Sequence, residues 1–316
     1  MTTGAFDKSA TSTAGVVEAV MVHYGDFDIT RQSIVALAAS EDVNVELTLV
    51  VNDGQEVPVW LRSLLEESFA EKTRTLKMGS GVTGYSGALN AATRRVRSGL
   101  DPQYFFFMNH DVIVERGTLA CLCEELDRNA RALAVGPVLL FPGAEQNVWN
   151  AGSVIHWPAC RPGSLHYRES LTAVPERPYA VDYLCGAAML MKKDHVDEIG
   201  GWSEDYFLYF EDADMGERIR RVGRTSVVVP TARAVHHVGS ASGAEPDRTA
   251  YYRVRNRILF SRRWAPPGVG PRLRRAHFIF KNLLKRGPKA RGALAGLFGT
   301  GGPGEWGPSV SNYTRQ

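Results

Sequence analysis

Four acids, Glu211, Asp212, Asp214 and Glu217, follow four large apolar residues at positions 207–210. Apolar neighbours and nearby like charges both disfavour ionisation, so they raise the pKa of a carboxyl group. A carboxylate adjusted in this way can accept a proton from a hydroxyl group, which makes this segment the first candidate for catalysis. The alternative is that the acids only favour the start of a helix through its dipole.

Length and composition indicate an ordinary globular protein. The chain has 316 residues, of which 44% are hydrophobic and 22% charged, enough to bury one large core or two moderate ones. The formal net charge of +3 is too small to indicate a nucleic-acid partner. Residues 1–15 are small and polar, which predicts a disordered leader, and no apolar run reaches the roughly 18 residues of a membrane span.

The four cysteines do not pair with histidines at metal-ligand spacing, and the pair at 121 and 123 lies in an apolar helical pattern. Buried free thiols are therefore expected in place of zinc sites or disulfides. This fits a cytoplasmic protein in a reducing compartment.

The C-terminal region is cationic, because no Asp or Glu occurs between Asp247 and Glu305. In residues 272–286, basic and apolar side chains alternate, which suggests a helix lying on a membrane surface. A surface helix packed on the protein is the alternative. The residues concerned are Arg272, Arg274, Arg275, Phe278, Ile279, Phe280, Lys281, Leu283, Leu284, Lys285 and Arg286.

Apolar strand-like runs alternate with amphipathic helix-like segments through the first hundred residues. Strands are predicted at 16–23, 45–51, 73–78 and 104–108, and helices at 29–39, 60–69 and 88–96. This alternation predicts an α/β fold with a parallel sheet, in which ligands bind at the carboxyl ends of the strands. His23, Asn52, Asp53 and the run 109–111 fall at such ends.

After residue 136 the apolar runs become shorter, which predicts a mixed or antiparallel half of the same domain. Runs at 134–141 and 148–156 are followed by a predicted loop at 161–178. Further strands are predicted at 187–191 and 225–230, and helices at 193–199 and 251–264, followed by a basic and apolar segment at 272–297.

Three weaker signals accompany the acids. Asp111, in Asn109–His110–Asp111, would place a carboxylate where a Mg²⁺ or Mn²⁺ ion on a diphosphate could use it, although Asn and Asp are also common turn residues. The pair His236–His237 would bring an imidazole to the same face, unless it is structural. Small residues around Gly84 would let backbone amides approach an anionic ligand.

Taken together in this order and spacing, the motifs closely resemble the family 2 glycosyltransferases with the GT-A fold, especially their rhamnosyltransferase-like members. The resemblance extends over residues 16–264. It implies that Asp111 is a metal ligand, that Asp212 is the general base beside Glu211, and that His237 helps to bind the metal and the diphosphate. Residues implied in binding the nucleotide-sugar are His23, Tyr24, Asn52, Asp53, Gly84, Tyr85, Asn90, Asn109, Gly186 and Arg255.

The resemblance implies inverting transfer of a hexose or deoxyhexose from a UDP- or dTDP-sugar, with Mg²⁺ or Mn²⁺, to a hydroxyl of a saccharide, lipid-linked or small-molecule acceptor. It further implies a Rossmann-like sheet merged with a smaller mixed half and followed by C-terminal helices. The predicted regions are a leader at 1–15, a catalytic domain at 16–245, a basic helical region at 246–300 and a flexible tail at 301–316. A nucleotidyltransferase and a non-catalytic sugar-nucleotide-binding module are the competing interpretations.

Overall fold

The structure, a computed structural model, describes residues 15–78, 83–97, 101–143, 146–237, 246–299 and 301–302. Residues 1–14 of the predicted leader and 303–316 of the predicted tail lie outside this part of the chain.

The first half forms the predicted parallel sheet. Its strands lie in the order β3, β2, β1, β4, and every neighbouring pair is parallel. β1, β2 and β3 are each followed by a helix that carries the chain back to the edge where the strands begin, so the carboxyl ends of all four strands lie together at the opposite edge. The elements are β1 Val16–His23, α1 Phe27–Ala38, β2 Asn44–Val51, α2 Val59–Phe69, β3 Thr73–Lys77, α3 Gly84–Arg97 and β4 Tyr104–Asn109.

The second half extends the same sheet in mixed orientation. β11 lies between β4 and β6 and is antiparallel to both, so it joins the two halves, while β12 is parallel to β6. The elements are β5 Val112–Val114, α4 Thr118–Arg128, β6 Ala132–Leu140, β7 Val148–Asn150, β8 Ser153–His156, β9 Arg161–Ser164, β10 Tyr179–Val181, β11 Ala188–Lys192, α5 Lys193–Ile199, α6 Glu211–Arg221 and β12 Thr225–His236.

Three local predictions in this half were wrong. The run 148–156 is two strands, because the chain turns at Gly152, where φ is +89° and the side chain of Val181 fills the space that a Cβ would need. The predicted loop at 161–178 contains β9, which pairs with β8. The strand predicted at 225–230 continues to His236. Its pairing with β6 shifts register between Val229 and Arg233, the interval that contains Pro230.

Three helices complete the described chain: α7 Pro246–Trp264, α8 Val269–Leu283 and α9 Pro288–Phe298. The segment expected at 272–297 is therefore two helices, separated where Gly287 adopts a φ of +78° and Pro288 begins α9. α9 packs closely on α7, since a Cβ on Gly292 would lie 2.5 Å from the carbonyl oxygen of Tyr251. Among the described helices, none has the length and apolar character needed to cross a bilayer.

Candidate active site

A cleft of about 350 Å³ opens at the carboxyl ends of β1, β2 and β4, beside the start of α6. It brings together acids that are about a hundred residues apart in sequence. Among the lining residues are Tyr24, Asn52, Gly84, Tyr85, Asn109, Asp111, Trp149, Tyr183, Gly186, Tyr209, Glu211, Asp212, His236, Arg248 and Arg253.

The loop before α6 holds an unusual backbone conformation. Phe207, Tyr209 and Phe210 have φ values of +47°, +68° and +76°, in the region that non-glycine residues rarely adopt. The side-chain amide of Asn256, on α7, donates hydrogen bonds to the carbonyl oxygens of Tyr206, Leu208 and Tyr209 at 2.7–2.8 Å. These bonds offset the cost of the strained loop and fix the point at which α6 enters the cleft.

The four acids of α6 divide into two structural and two cleft-facing groups. Asp214 is fully buried and accepts hydrogen bonds from Arg218 Nε at 2.8 Å and Trp264 Nε1 at 2.7 Å. Glu217 pairs with Arg220 at 2.7 Å. Asp214 and Glu217 therefore form structural contacts on α6, whereas Glu211 and Asp212 line the cleft.

The Asp212 carboxylate is held by backbone amides. Its Oδ2 accepts a hydrogen bond from the Gly186 N–H at 3.3 Å and its Oδ1 from the Ala213 N–H at 2.8 Å. Burial raises the pKa of Asp212, while the two backbone N–H groups act in the opposite direction. A half-buried, oriented carboxylate of raised pKa is suited to accept a proton.

Glu211 is a buried acid beside Asp212. Burial, and then the charge of Asp212, raise the pKa of Glu211 well above its usual range. Its Oε2 has no hydrogen-bond partner within the described part of the chain. A protonated Glu211 next to an ionised Asp212 can donate a hydrogen bond into the cleft.

Asp111 lies at the other wall of the cleft, only 4% exposed, and its Oδ1 is 3.3 Å from Nε2 of His236. The resemblance to the family 2 glycosyltransferases implies His237 in this position. His236 is the last residue of β12 and lines the cleft, whereas the next residue, His237, is not among the lining residues. His237 contributes its backbone N–H, which donates to the Asp111 carbonyl oxygen at 2.9 Å.

Asp111 and His236 fit a divalent ion that is shared with a diphosphate. No cluster of three or more His, Cys, Asp or Glu side chains capable of holding a metal ion occurs within the described ranges. A Mg²⁺-type site commonly uses one or two protein ligands and takes the rest from substrate phosphates and water. A buried carboxylate beside an imidazole meets that requirement.

Two predicted nucleotide-binding residues, His23 and Asp53, do not line the cleft. His23 is fully buried, with Nδ1 2.7 Å from Thr30 Oγ1, and burial lowers its pKa to about 4. Asp53 accepts hydrogen bonds from the backbone N–H groups of Gly25 and Gln55 and so fixes the turn after β1. Their neighbours Tyr24 and Asn52 line the cleft instead.

Asn90 and Arg255, also predicted to bind the nucleotide-sugar, are committed to structural hydrogen bonds outside the cleft. Asn90 both donates to and accepts from the backbone of Trp202, at 2.8 and 2.9 Å. Arg255 is fully buried and donates to the carbonyl oxygens of Asp205 and Gly302, each at 2.7 Å. Both side chains position loops that border the site.

Gly84, Tyr85, Asn109 and Gly186 line the cleft as expected. The Tyr85 hydroxyl donates to the Gly186 carbonyl oxygen at 2.7 Å, and the amide of Asn52 donates to the Gly84 carbonyl oxygen at 3.2 Å. These bonds tie the start of α3 to both walls.

Sequence reasoning missed two arginines that line the cleft. The guanidinium of Arg248 lies 5.0 Å from the centre of the Tyr24 ring, and that of Arg253 lies 4.8 Å from the Tyr209 ring. Both belong to α7, and the frequent arginines of this segment were the signal in the sequence that could have indicated them. They add positive charge to a cleft whose other charged groups are acids.

Comparison with known proteins gives consistent results. Residues 14–260 match the family described as "Glycosyltransferase like family 2". N-acetylglucosaminyl-diphospho-decaprenol L-rhamnosyltransferase from Mycobacterium tuberculosis is 32% identical over 150 residues, which are 44% of this chain and 48% of that protein. Rhamnosyltransferase WbbL from Escherichia coli K12 is 22% identical over 232 residues, or 70% of this chain and 83% of that protein. The match thus spans about half the length of the mycobacterial relative.

Two solved structures share the fold. GalNAc-T7, crystallised with UDP, GalNAc and Mn²⁺, superimposes with a TM-score of 0.59 over 87% of this chain and 55% of its own, at 13% identity. The mannosyltransferase PcManGT from Pyrobaculum calidifontis, with GDP-Man and Mn²⁺, gives a TM-score of 0.54 over 91% and 75%, at 16% identity. With its GT-A fold and its rhamnosyltransferase relatives, the chain belongs to glycosyltransferase family 2.

Proposed function

We propose that this chain is an inverting glycosyltransferase that transfers a hexose or deoxyhexose from a UDP- or dTDP-sugar to an acceptor hydroxyl. The observation that carries the proposal is the cleft itself, which places the Asp212 carboxylate and the pair of Asp111 and His236 on facing elements. The names of the relatives support a deoxyhexose, rhamnose, as the sugar and a lipid-linked saccharide as the acceptor.

Asp212 acts as the general base. It removes the proton from the acceptor hydroxyl as that oxygen bonds to the anomeric carbon, while the bond from this carbon to the diphosphate oxygen breaks with its electron pair. The hydrogen bond from Gly186 holds the base beside the donor sugar. Glu211, whose pKa is raised by burial, lies beside Asp212 in the cleft and orients a sugar hydroxyl.

Asp111 and His236 would hold the divalent ion, Mg²⁺ or Mn²⁺, which would neutralise the negative charge of the diphosphate leaving group. Arg248, whose guanidinium lies over Tyr24, adds positive charge beside the end of β1. Arg253 lies over the ring of Tyr209, a residue of the loop that precedes the base, and adds positive charge to that part of the cleft.

The experiment is a panel of UDP- and dTDP-sugars with candidate acceptors, in Mn²⁺ or EDTA, scored by release of the nucleoside diphosphate. Release that depends on both acceptor and metal is expected. Release of pyrophosphate would support a nucleotidyltransferase, and nucleotide binding without any turnover would support a binding module.

Adjacent histidines provide a matched test of the metal assignment. We expect His236→Ala to weaken metal-dependent binding of the nucleoside diphosphate by about tenfold or more, as loss of a ligand or its support does. His237→Ala retains the backbone N–H that bonds to Asp111 and should change binding little. Titration calorimetry with and without Mn²⁺ measures both, and a larger loss for His237→Ala would assign the metal to that residue.

A further inference from the structure

Helix α8 presents an apolar ridge to the outside of the molecule. Leu284, the residue after α8, still has helical backbone angles. With about 100° of rotation per residue, Leu273, Phe280 and Leu284 therefore fall within about 40° of one another around the helix axis. They are 64%, 61% and 71% exposed. Large apolar side chains exposed in one row are unusual on a monomeric protein and mark an interaction surface. We call these three residues the outer ridge.

The opposite face of α8 is packed on the protein. Phe278 and Ile279 contact the cluster that contains Val254, Ile258 and Ala293 of α7 and α9. The guanidinium of Arg275 donates to the Ser261 carbonyl oxygen at 3.1 Å, and Asn282 is buried. The helix is thus fixed in rotation, so the outer ridge cannot turn inward. This corrects the sequence interpretation, in which the whole segment 272–286 formed the interface.

A row of cations runs along one flank of the outer ridge. Arg274 and Lys281 each follow a ridge residue by one position, which places them about 100° around the helix, and Lys285 follows Leu284 just beyond the end of α8. All three are exposed, and none forms an ion pair with an acid of the described ranges. No acid occurs in the sequence between Asp247 and Glu305 to neutralise them.

We propose that the outer ridge and its cationic flank dock the protein on an anionic lipid bilayer. The apolar side chains enter the boundary between headgroups and acyl chains, and the cations contact lipid phosphates. Charge complementarity selects this partner. A second copy of the chain would bring the same cationic flank against itself, because a two-fold interface uses the same patch on both subunits.

Helix α8 packs on the part of α7 that leads into the cleft. Arg253 lines the cleft, and one turn further along α7 the guanidinium of Arg257 lies 4.1 Å from the centre of the Phe278 ring on α8. One turn of helix is about 6 Å and a helix is about 10 Å across, so the outer ridge, on the far face of α8, lies on the order of 20 Å from Arg253. The consequence for catalysis rests on the proposed function, since it requires a lipid-linked acceptor.

The test is flotation of the full chain with vesicles of phosphatidylcholine alone or with roughly one third phosphatidylglycerol, at low and high salt. Binding to the anionic vesicles only, weakened by salt, is expected. Replacing the outer ridge by serine (Leu273→Ser, Phe280→Ser, Leu284→Ser) should weaken binding by about tenfold or more. Reversing the flank (Arg274→Glu, Lys281→Glu, Lys285→Glu) should abolish it.

Matched controls come from exposed residues on other elements. Val35→Ser with Val59→Ser removes apolar surface of similar exposure from α1 and α2, and Arg31→Glu with Arg177→Glu reverses exposed charges elsewhere. Neither should affect flotation. Three results would each overturn the proposal. They are an equal loss of vesicle binding in the control variants, binding to neutral vesicles that does not change when the flank is reversed, and a dimer that dissociates when the outer ridge is replaced.

Turnover of a water-soluble acceptor separates this proposal from the proposed function. The ridge and flank variants should release nucleoside diphosphate at the wild-type rate with such an acceptor and lose rate only with an acceptor embedded in anionic vesicles. Flotation is read without any substrate, so it remains decisive even if no glycosyl transfer is detected.

Discussion

Asp212→Asn is expected to remove turnover while leaving the fold and nucleotide binding intact. The asparagine matches the size of the aspartate, and its amide oxygen can still accept one of the two backbone hydrogen bonds, from Gly186 or Ala213. Loss of the other costs about 1 kcal/mol of stability. A positioned base contributes ~10²- to 10⁴-fold to rate, so the barrier should rise by about 3–5 kcal/mol.

Asp214→Asn is the matched control on the same helix. Asp214 is fully buried between Arg218 and Trp264 and does not line the cleft. Removing its charge leaves the Arg218 guanidinium without its carboxylate, which should cost about 3 kcal/mol of stability. The folded fraction of this variant should retain its rate of transfer, so the two substitutions should produce opposite effects.

The assay combines nucleoside diphosphate release across a range of pH with thermal unfolding. Burial raises the pKa of Asp212. The wild-type rate should therefore begin to fall, as the pH is lowered, at a pH above the usual pKa range of a carboxyl group. The residual rate of Asp212→Asn should lack that limb. If the variant keeps its rate, or if its melting temperature falls as far as that of Asp214→Asn, the assignment of the base is wrong.

Three further outcomes are expected. In Gly186→Ala the new Cβ would come no closer than 3.5 Å to another atom, so the melting temperature should be unchanged while the KM for the donor rises. In Gly84→Ala the backbone has a φ of +75° and the new Cβ would lie 2.4 Å from a carbonyl oxygen, so the substitution should cost more than about 2 kcal/mol of stability. Arg74 forms an ion pair with the buried carboxylate of Glu18, whose pKa burial raises to about 6. Arg74→Ala leaves that carboxylate unpaired at pH 8 and should lower the free energy of unfolding, measured in urea, by about 3 kcal/mol. The loss should be smaller at pH 5, where Glu18 is protonated. Burial raises the pKa of Glu211, so this carboxyl group contributes stability that is fully present below its usual pKa of 4.5 and is lost as pH rises above it. Glu211→Gln should therefore match wild type in melting temperature at about pH 4 and exceed it increasingly at higher pH, and a difference that is constant with pH would contradict this.

Elements with strong local signals were predictable from the sequence. β1 begins and ends where the apolar run does, and α5 matches the predicted bounds at 193–199. Buried parallel strands are continuous apolar runs, and their ends are marked by polar turn residues. The positions of Asp111 and Asp212 at the cleft could therefore be expected from strand ends and helix starts.

Elements that depend on distant partners were not predictable in this way. β9 has little apolar character and exists because it pairs with β8, and β12 extends beyond Pro230 because β5 and β6 pair with its later residues. Strand propensity mainly reflects such neighbours, so a single sequence carries little of it.

The sequence by itself determined the class of fold, the order of its elements and the acids from which a site could be built, since apolar period and turn chemistry are local properties. Only the tertiary structure decided which side chains reach the cleft. It placed His236 beside Asp111, turned Arg255 and Asn90 away to support loops, and brought Arg248 and Arg253 in from α7. Which side a residue faces depends on strand pairing and helix packing far along the chain, and one position of difference on a strand reverses it.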